Sequence, residues 1–319
     1  MYDDVPEIMR EFLQYMISIK NRSINTVNEY YYDLRYAFRF LKLYKNGTKN
    51  INNELIESTG ILDIDLNFIR KIELDDLYEY LTFMANERSD KSTTRSRKVS
   101  ALKTFFNYLT LKRKVLDKNP TAELETPKLS KRLPKYLTLE ESVTLLHSIS
   151  GKFEKRDTCI ITFFLNCGLR LSELININFK DIRNNILTVV GKGDKERSVY
   201  LNDACVKAYN DYLSERAKYT NIKDKNALFV SERGTRIGRR TVEMMVKKYI
   251  NLAGLDPNKY SPHKLRHTAA TLMHKYGGVD IRALQQILGH ESISTTEIYT
   301  HIDNDEIKDA LNSNPLNNI

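Results

Sequence analysis

Apolar residues recur at spacings of three and four along most of this chain, so the pattern predicts a mainly helical protein. Ile8, Phe12, Tyr15, Met16 and Ile19 share one helical face, and Val27, Tyr30, Tyr31, Leu34, Phe38 and Leu41 share the next. The aromatic stripe of that second helix reads as core rather than as a base-stacking surface. Residues 46–65 break the pattern with a polar, asparagine-rich insert (Asn46, Asn50, Asn52, Asn53). It reads as a loop holding at most one turn of helix, with no chemistry assigned. Leu77, Tyr80 and Leu81 restore the period, and a further helix opens at Ser92 and carries Val99, Leu102, Phe105, Phe106 and Leu109. Arg95, Arg97 and Lys98 lie near its start. Basic residues there suit contact with phosphates or entry into a groove, while a solvated helix face is the plainer reading.

The period fades from Lys112 to Leu133, where Pro120 and Pro127 predict an extended connector. Residues 1–112 are thus expected to form one helical domain, 113–134 a linker and 135–319 a second domain. In the second domain Thr138-Leu139-Glu140-Glu141 is a capping box. Residues 159–165 predict a buried helix, broken at Cys167-Gly168, and Leu171 to Ile177 continue as another. Residues 186–190 and 197–201 predict a hairpin around the turn Gly191-Lys192-Gly193-Asp194-Lys195. Leu228 to Val230 reads as a short strand. Helices are predicted over 204–219, 239–252, from Pro262 onward, and over 280–288 with Gly289 as its cap. Ser294 to Glu297 is a second capping box, which puts Tyr299 on a short helix, and 303–311 predicts one more.

Composition adds a partner class. The formal net charge is +9. Between Arg88 and Arg132 thirteen Lys or Arg face four Asp or Glu, a local excess equal to that of the whole chain. This favours a polyanion such as nucleic acid without proving one. Three cysteines with no CxxC pair suit buried thiols in a reducing cytoplasm. The acidic N-terminus does not read as a signal peptide, and no apolar run approaches the ~18 residues of a membrane helix.

The candidate chemistry lies in the second domain. Arg170 sits between two apolar segments at a helix start, either paired with Glu173 or aimed at a ligand. His263 and Arg266 share a helical face. His263 and His267 have the spacing of a zinc pair, but Lys264 and Arg266 would put two cations inside the shell, so no metal is expected. Arginines can hold phosphodiester oxygens with paired N–H bonds, where lysine acts as a point charge. A tyrosine with a pKa of ~10 needs a partner to take its proton as it attacks. A nearby histidine can be that partner, and Lys192 can return a proton to the leaving oxygen.

Arg170 in Cys-Gly-Leu-Arg-Leu-Ser-Glu-Leu, Lys192 in Gly-Lys-Gly-Asp-Lys-Glu-Arg and His263 and Arg266 in Pro-His-Lys-Leu-Arg-His stand in order along the chain. His290 in Leu-Gly-His and Tyr299 in Ile-Tyr-Thr-His follow. The set resembles the tyrosine recombinases of the phage integrase family, and most of all the XerC/XerD branch. The resemblance implies a two-domain, C-shaped clamp on DNA, with a helical SAM-like core-binding domain and a mainly α catalytic domain carrying a small β-hairpin. It implies a site-specific recombinase, with nicking or topoisomerase-like action as the alternative. Arg170 and Arg266 would bind the scissile phosphate, Lys192 would protonate the 5′-oxygen, His263 would assist proton transfer, and His290 would hydrogen-bond the phosphate. Tyr299 would attack to leave a 3′-phosphotyrosine, and Glu173 would support the site from behind. No metal and no cofactor are implied. The implied partners are a double-stranded recombination site and further subunits, in a homo-tetramer or a hetero-tetramer with a paralogous recombinase. Arg95, Arg97, Lys98, Arg239 and Arg240 are the expected DNA contacts. The 46–65 insert is longer than expected for a plain chromosomal Xer protein. The role is therefore open between chromosome dimer resolution and integration or excision of a mobile element.

Overall fold

The computed structural model describes residues 2–88, 90–127, 135–191, 195–289 and 296. The chain divides into two compact units, Met1–Lys131 and Arg132–Ile319. Both are helical in the main, and a three-stranded sheet lies in the second.

The first unit is built on α1 (Glu7–Ser18), α2 (Ile24–Lys45), α5 (Leu74–Asn86) and α6 (Ser92–Asn107), with short helices α3 (Asn53–Ser58) and α4 (Leu66–Arg70) between. The helical period sends Phe12, Leu34, Phe38, Leu41, Phe105 and Phe106 inward, where all are buried. Phe105 meets Phe12 and Phe38 edge-on, with ring centroids 5.3 and 5.5 Å apart. Edge-to-face geometry sets the positive rim of one ring against the negative face of another. The aromatic stripe of α2 is therefore largely core. The 46–65 insert is more ordered than its composition suggests. Asn52 caps α3 by accepting the Leu55 N–H at 2.9 Å, and Ile56, Ile61 and Ile64 bury into the same core. Asn52, which looks like a loop residue in sequence, is here a helix cap.

The stretch after α6 also departs from the sequence reading. Leu116, Thr121 and Leu124 are buried, and Leu116 and Leu124 join the first core. Residues 113–127 thus pack on the first unit, where the proline pattern suggests an exposed connector. Its two anchoring leucines are spaced eight apart, too far for the helical period to reveal them.

In the second unit α8 (Glu154–Cys167) is buried on nearly all sides and runs through the core, with Cys159, Ile160, Ile161, Phe163 and Phe164 fully buried. Each such side chain is worth roughly 1.5–3 kcal/mol relative to exposure. Helices α7 (Leu139–His147), α10 (Asp203–Arg216) and α12 (Pro262–Lys275) pack around it. The capping box of α7 forms as the sequence suggests, with the Glu141 N–H donating to Thr138 Oγ1 and the Thr138 N–H to Glu141. Strands β1 (Ile182–Arg183), β2 (Ile186–Val190) and β3 (Glu196–Tyr200) form an antiparallel sheet in that order. Val189 pairs with Arg197 and Leu187 with Val199, so Arg197 shares the inward face of β3 with Val199. The run 228–230 is buried but forms no strand, only an isolated pairing of Val230 with Arg236. The remaining helices are α9 (Leu171–Asn176), α11 (Arg239–Leu252) and α13 (Ile281–Leu288). Among the described residues no helix is long and apolar enough to cross a membrane.

Candidate active site

Two glycines let three helix ends converge. Gly168 ends α8 at φ +57° and Gly289 ends α13 at φ +64°, a left-handed conformation that disfavours any Cβ. A Cβ on Gly168 would also lie 2.7 Å from Leu288 Cδ2, so the ends of α8 and α13 approach only because no side chain intervenes. Arg170 follows at once as the residue capping α9.

Glu173, one turn into α9, is the hub. Its Oε2 accepts the Arg170 backbone N–H at 2.7 Å and Arg197 Nη2 at 3.0 Å, and its Oε1 accepts Arg170 Nη1 at 2.7 Å. Arg266 Nη1 stands 3.8 Å from the same Oε2. The Glu173 side chain is 1% exposed and that of Arg266 3%. Three guanidinium groups thus surround one buried carboxylate, a local surplus of two positive charges.

The arginines are also fixed by successive carbonyls at the end of α13. Arg197 Nε donates to Ile287 O at 3.1 Å, Arg266 Nη2 to Leu288 O at 2.7 Å and Arg170 Nη2 to Gly289 O at 2.8 Å. Arg266 Nη1 donates to Gly168 O, at the end of α8, at 2.7 Å. Among the described residues these carbonyls have no partner further along their helices, and the negative end of each helix dipole faces the cations. They offset part of the charge and leave a fixed, partly desolvated cationic centre. Burial lowers the proton affinity of Arg197, Glu173 opposes that, and Arg170 adds to it. A guanidinium stays charged throughout.

Arg170, His263 and Arg266 line one cleft of about 820 Å³, together with Arg239, Glu243, Lys247 and Tyr260. The structure therefore brings together three of the six residues expected to carry the chemistry, and adds Arg239 from α11. His263 Nε2 lies 3.0 Å from His267 Nε2, with the rings nearly perpendicular at 72°. One nitrogen must donate and the other accept, so both rings cannot be imidazolium in this pairing. Burial of part of the ring lowers the His263 pKa, and Arg266, Lys264 and Arg170 push it the same way. Lys192, His290 and Tyr299 lie outside the described residues, as do the second capping box and 303–311. Gly191, next to Lys192, and Gly289, next to His290, are described. The Gly191 N–H donates to Lys195 O at 2.8 Å across the neck of the turn, and a Cβ on Gly191 would lie 3.8 Å from Arg170 Nη1.

The expected DNA contacts divide. Arg239 and Arg240 are exposed at the start of α11. On α6 Arg97 is exposed but paired with Glu29 at 2.8 Å and with Asp33. Lys98 is only 6% exposed and points inward, its Nζ 3.2 Å from buried Asp33. Arg95 is half-buried, and its Nε has no hydrogen-bond partner among the described residues. Lys98 is thus not placed for the phosphate contact expected of it, because the α6 face it occupies is the one turned to the core. The motifs do not single out Arg197, although the alternation of Arg197 and Val199 on β3, continued by Leu201 just after it, marks an arginine facing inward.

An arginine cluster around one carboxylate, with a histidine at its edge, is a site for an anionic group that must be held and have its charge neutralised. The family model described as "Phage integrase family" matches residues 135–306. The chain belongs to this family, that of the tyrosine recombinases. It is 55% identical over 311 residues to Tyrosine recombinase XerC of Caldanaerobacter subterraneus subsp. tengcongensis, covering 98% of this chain and 87% of the relative. It is 34% identical over 311 residues to Tyrosine recombinase XerD of Proteus mirabilis, covering 96% and 92%. The crystal structure of XerH site-specific recombinase bound to difH substrate, a pre-cleavage complex, superposes with a TM-score of 0.65 at 26% identity, covering 96% of this chain and 94% of that one. The chain is thus a Xer-like tyrosine recombinase, an enzyme of the site-specific type.

Proposed function

We propose that this protein binds a double-stranded recombination site and exchanges its strands through Tyr299. The observation that carries the reading is the surplus of positive charge around Glu173 at the wall of the cleft. A phosphodiester in the cleft supplies the missing anion. Arg170 and Arg266 hold its non-bridging oxygens and neutralise the charge that builds up in the pentacoordinate transition state. His263 takes the phenolic proton as Tyr299 Oη bonds to phosphorus. The bond to the 5′-oxygen breaks, Lys192 gives that oxygen a proton, and His290 steadies the phosphate. The product is a 3′-phosphotyrosine and a free 5′-hydroxyl, so the bond energy is kept and no ATP or redox partner is needed. Attack by a 5′-hydroxyl of another strand reverses the chemistry and completes exchange.

Residues 1–112 and residues 135–319 each contact the duplex, with Arg95, Arg97, Arg239 and Arg240 on its phosphates. Lys98 supports this from within α6. For Arg97 the contact means leaving Glu29 and Asp33. Subunits act as a tetramer on two sites, alone or with a paralogous recombinase. The relatives named above are called recombinases, which favours exchange over nicking alone. Chromosome dimer resolution is the role supported by the likeness to XerC and XerD. The test is a nicked suicide duplex carrying a candidate recombination site, with wild type beside Tyr299→Phe. A covalent protein–DNA adduct in wild type alone supports Tyr299 as nucleophile, and an adduct in both reassigns the attack to another tyrosine.

A further inference from the structure

We infer that Arg197 is a positioning residue for the strand-transfer reaction, acting through Glu173 and the end of α13 on the two arginines that hold the phosphate. The inference rests on the phosphate-binding role proposed for Arg170 and Arg266. Arg197 comes from β3, an element that carries neither of them, and it touches both supports that orient them.

The first support is Glu173. Arg197 Nη2 occupies Oε2 at 3.0 Å, while Arg266 Nη1 stays 3.8 Å away and donates instead to Gly168 O. Without Arg197 the nearest cation able to satisfy that buried oxygen is Arg266. Oε2 would keep the Arg170 backbone N–H but lose its charged donor. A buried carboxylate oxygen short of a cation draws a guanidinium, and Arg266 would turn from the cleft towards it. The second support is α13. Arg197 Nε holds Ile287 O, and the next two carbonyls in the chain orient Arg266 and Arg170. One fork thus sets the first of three consecutive acceptors and blocks the competing partner of Arg266. Close packing makes the placement specific, since a Cβ on Gly289 would lie 2.8 Å from Arg197 Cδ. Arg197 Nη1 is buried and has no hydrogen-bond partner among the described residues, so the side chain also brings desolvated charge to the cluster.

The experiment compares wild type, Arg197→Ala, Arg197→Lys and Arg170→Ala on a site that the wild type cleaves. Each is assayed on the normal phosphodiester and on a duplex with a methylphosphonate at the scissile position. The methylphosphonate is neutral, so its transition state carries one negative charge fewer and leans less on correctly aimed guanidinium groups. Melting temperature and DNA affinity are measured beside cleavage. On the phosphodiester, Arg197→Ala is expected to cleave about a hundredfold more slowly, as on loss of one preorganised donor. On the methylphosphonate its deficit should shrink to under about tenfold, in parallel with Arg170→Ala. Arg197→Lys keeps the charge but not the two-pronged geometry, so it should be intermediate on the phosphodiester. It also carries the comparison if the alanine variant folds poorly.

An equal deficit on both substrates would make Arg197 a general prop of the fold and overturn the inference, as would no deficit on either. If Arg170→Ala shows the charge-dependent loss and Arg197→Ala does not, this inference alone fails. If Arg170→Ala cleaves normally, the phosphate-binding role fails and takes this inference with it.

Discussion

Glu173 and Arg170 are tied twice, backbone N–H to Oε2 and guanidinium to Oε1, each at 2.7 Å. The first bond caps α9 and the second aims the arginine, so one carboxylate sets both the start of a helix and the direction of a candidate phosphate ligand. Glu173→Ala leaves three guanidinium groups without their common counter-ion. It should destabilise the second unit by about 3 kcal/mol, the cost of stripping a buried charge of its partner. Glu173→Gln keeps the shape but turns an NH2 towards at least one donor. Its cleavage should fall about a hundredfold with a smaller loss of stability. Urea unfolding and single-turnover cleavage separate the two, and wild-type rates in Glu173→Gln would mean that the carboxylate charge is not needed.

Gly168 should be far less tolerant of substitution than Gly254. Both have positive φ, +57° and +74°, so alanine strains the backbone by roughly 1–2 kcal/mol at either place. At Gly254 the added methyl meets open space, whereas at Gly168 it lies 2.7 Å from Leu288 Cδ2. Pushing Leu288 aside moves the carbonyl that holds Arg266. Gly168→Ala should therefore lose at least about 1 kcal/mol more than Gly254→Ala, as overpacking adds to strain. It should also lose cleavage, which Gly254→Ala should keep. Equal losses of stability in the two variants would refute the crowding.

Lys98 and Arg240 should separate stability from DNA affinity. Lys98→Met leaves Asp33 buried with Arg97 as its remaining cation, so the first unit should lose about 3 kcal/mol. The salt dependence of DNA binding should be unchanged, because a buried ammonium displaces no counter-ion from DNA. Arg240→Ala should do the reverse, leaving stability within about 0.5 kcal/mol and reducing the slope of log K against log salt by ~0.9. Fluorescence anisotropy across a salt series reads both slopes, and a reduced slope for Lys98→Met would return Lys98 to the DNA surface.

Most helices are legible because burial imposes a period, and α1 and α11 follow theirs closely. Two kinds of feature escaped. One is packing through widely spaced anchors, as with Leu116 and Leu124 in a stretch where prolines suggest an open connector. The other is the direction of a basic side chain. Lys98 and Arg97 are neighbours in sequence, alike in charge and both paired with Asp33, yet the Lys98 side chain is buried and that of Arg97 is exposed. Helical phase separates them, and the partner comes from α2, far away along the chain. For the site, the motifs marked Arg170, His263 and Arg266, which share a cleft. They did not mark Arg197, whose meaning depends on carbonyls some ninety residues downstream.

His263 should titrate below an ordinary histidine in the DNA-free protein. Part of its ring is buried, and Arg266 and Lys264 on its own helix and Arg170 from α9 all disfavour a further positive charge. Its neighbour His267 shares a hydrogen bond with it, and Arg239, Glu243 and Lys247 of α11 line the same cleft. Glu243 is the one acidic group in that set, against several cations. The folded value thus lies below the ordinary 6.5. Between the two values the unfolded chain binds more protons than the folded one, so stability rises with pH in that window. The contribution is fully present above about pH 6.5 and is lost as the pH falls through the folded value. A lowered pKa favours the neutral ring, as the proton-accepting role proposed for His263 requires. Following the His263 ring protons by NMR against pH should give a midpoint below that of an unstructured peptide of the same local sequence. His263→Gln should flatten the pH dependence of unfolding free energy in that window. A midpoint at or above the peptide's would mean that a negative group outweighs the three cations, and the general-base role would have to pass to another residue.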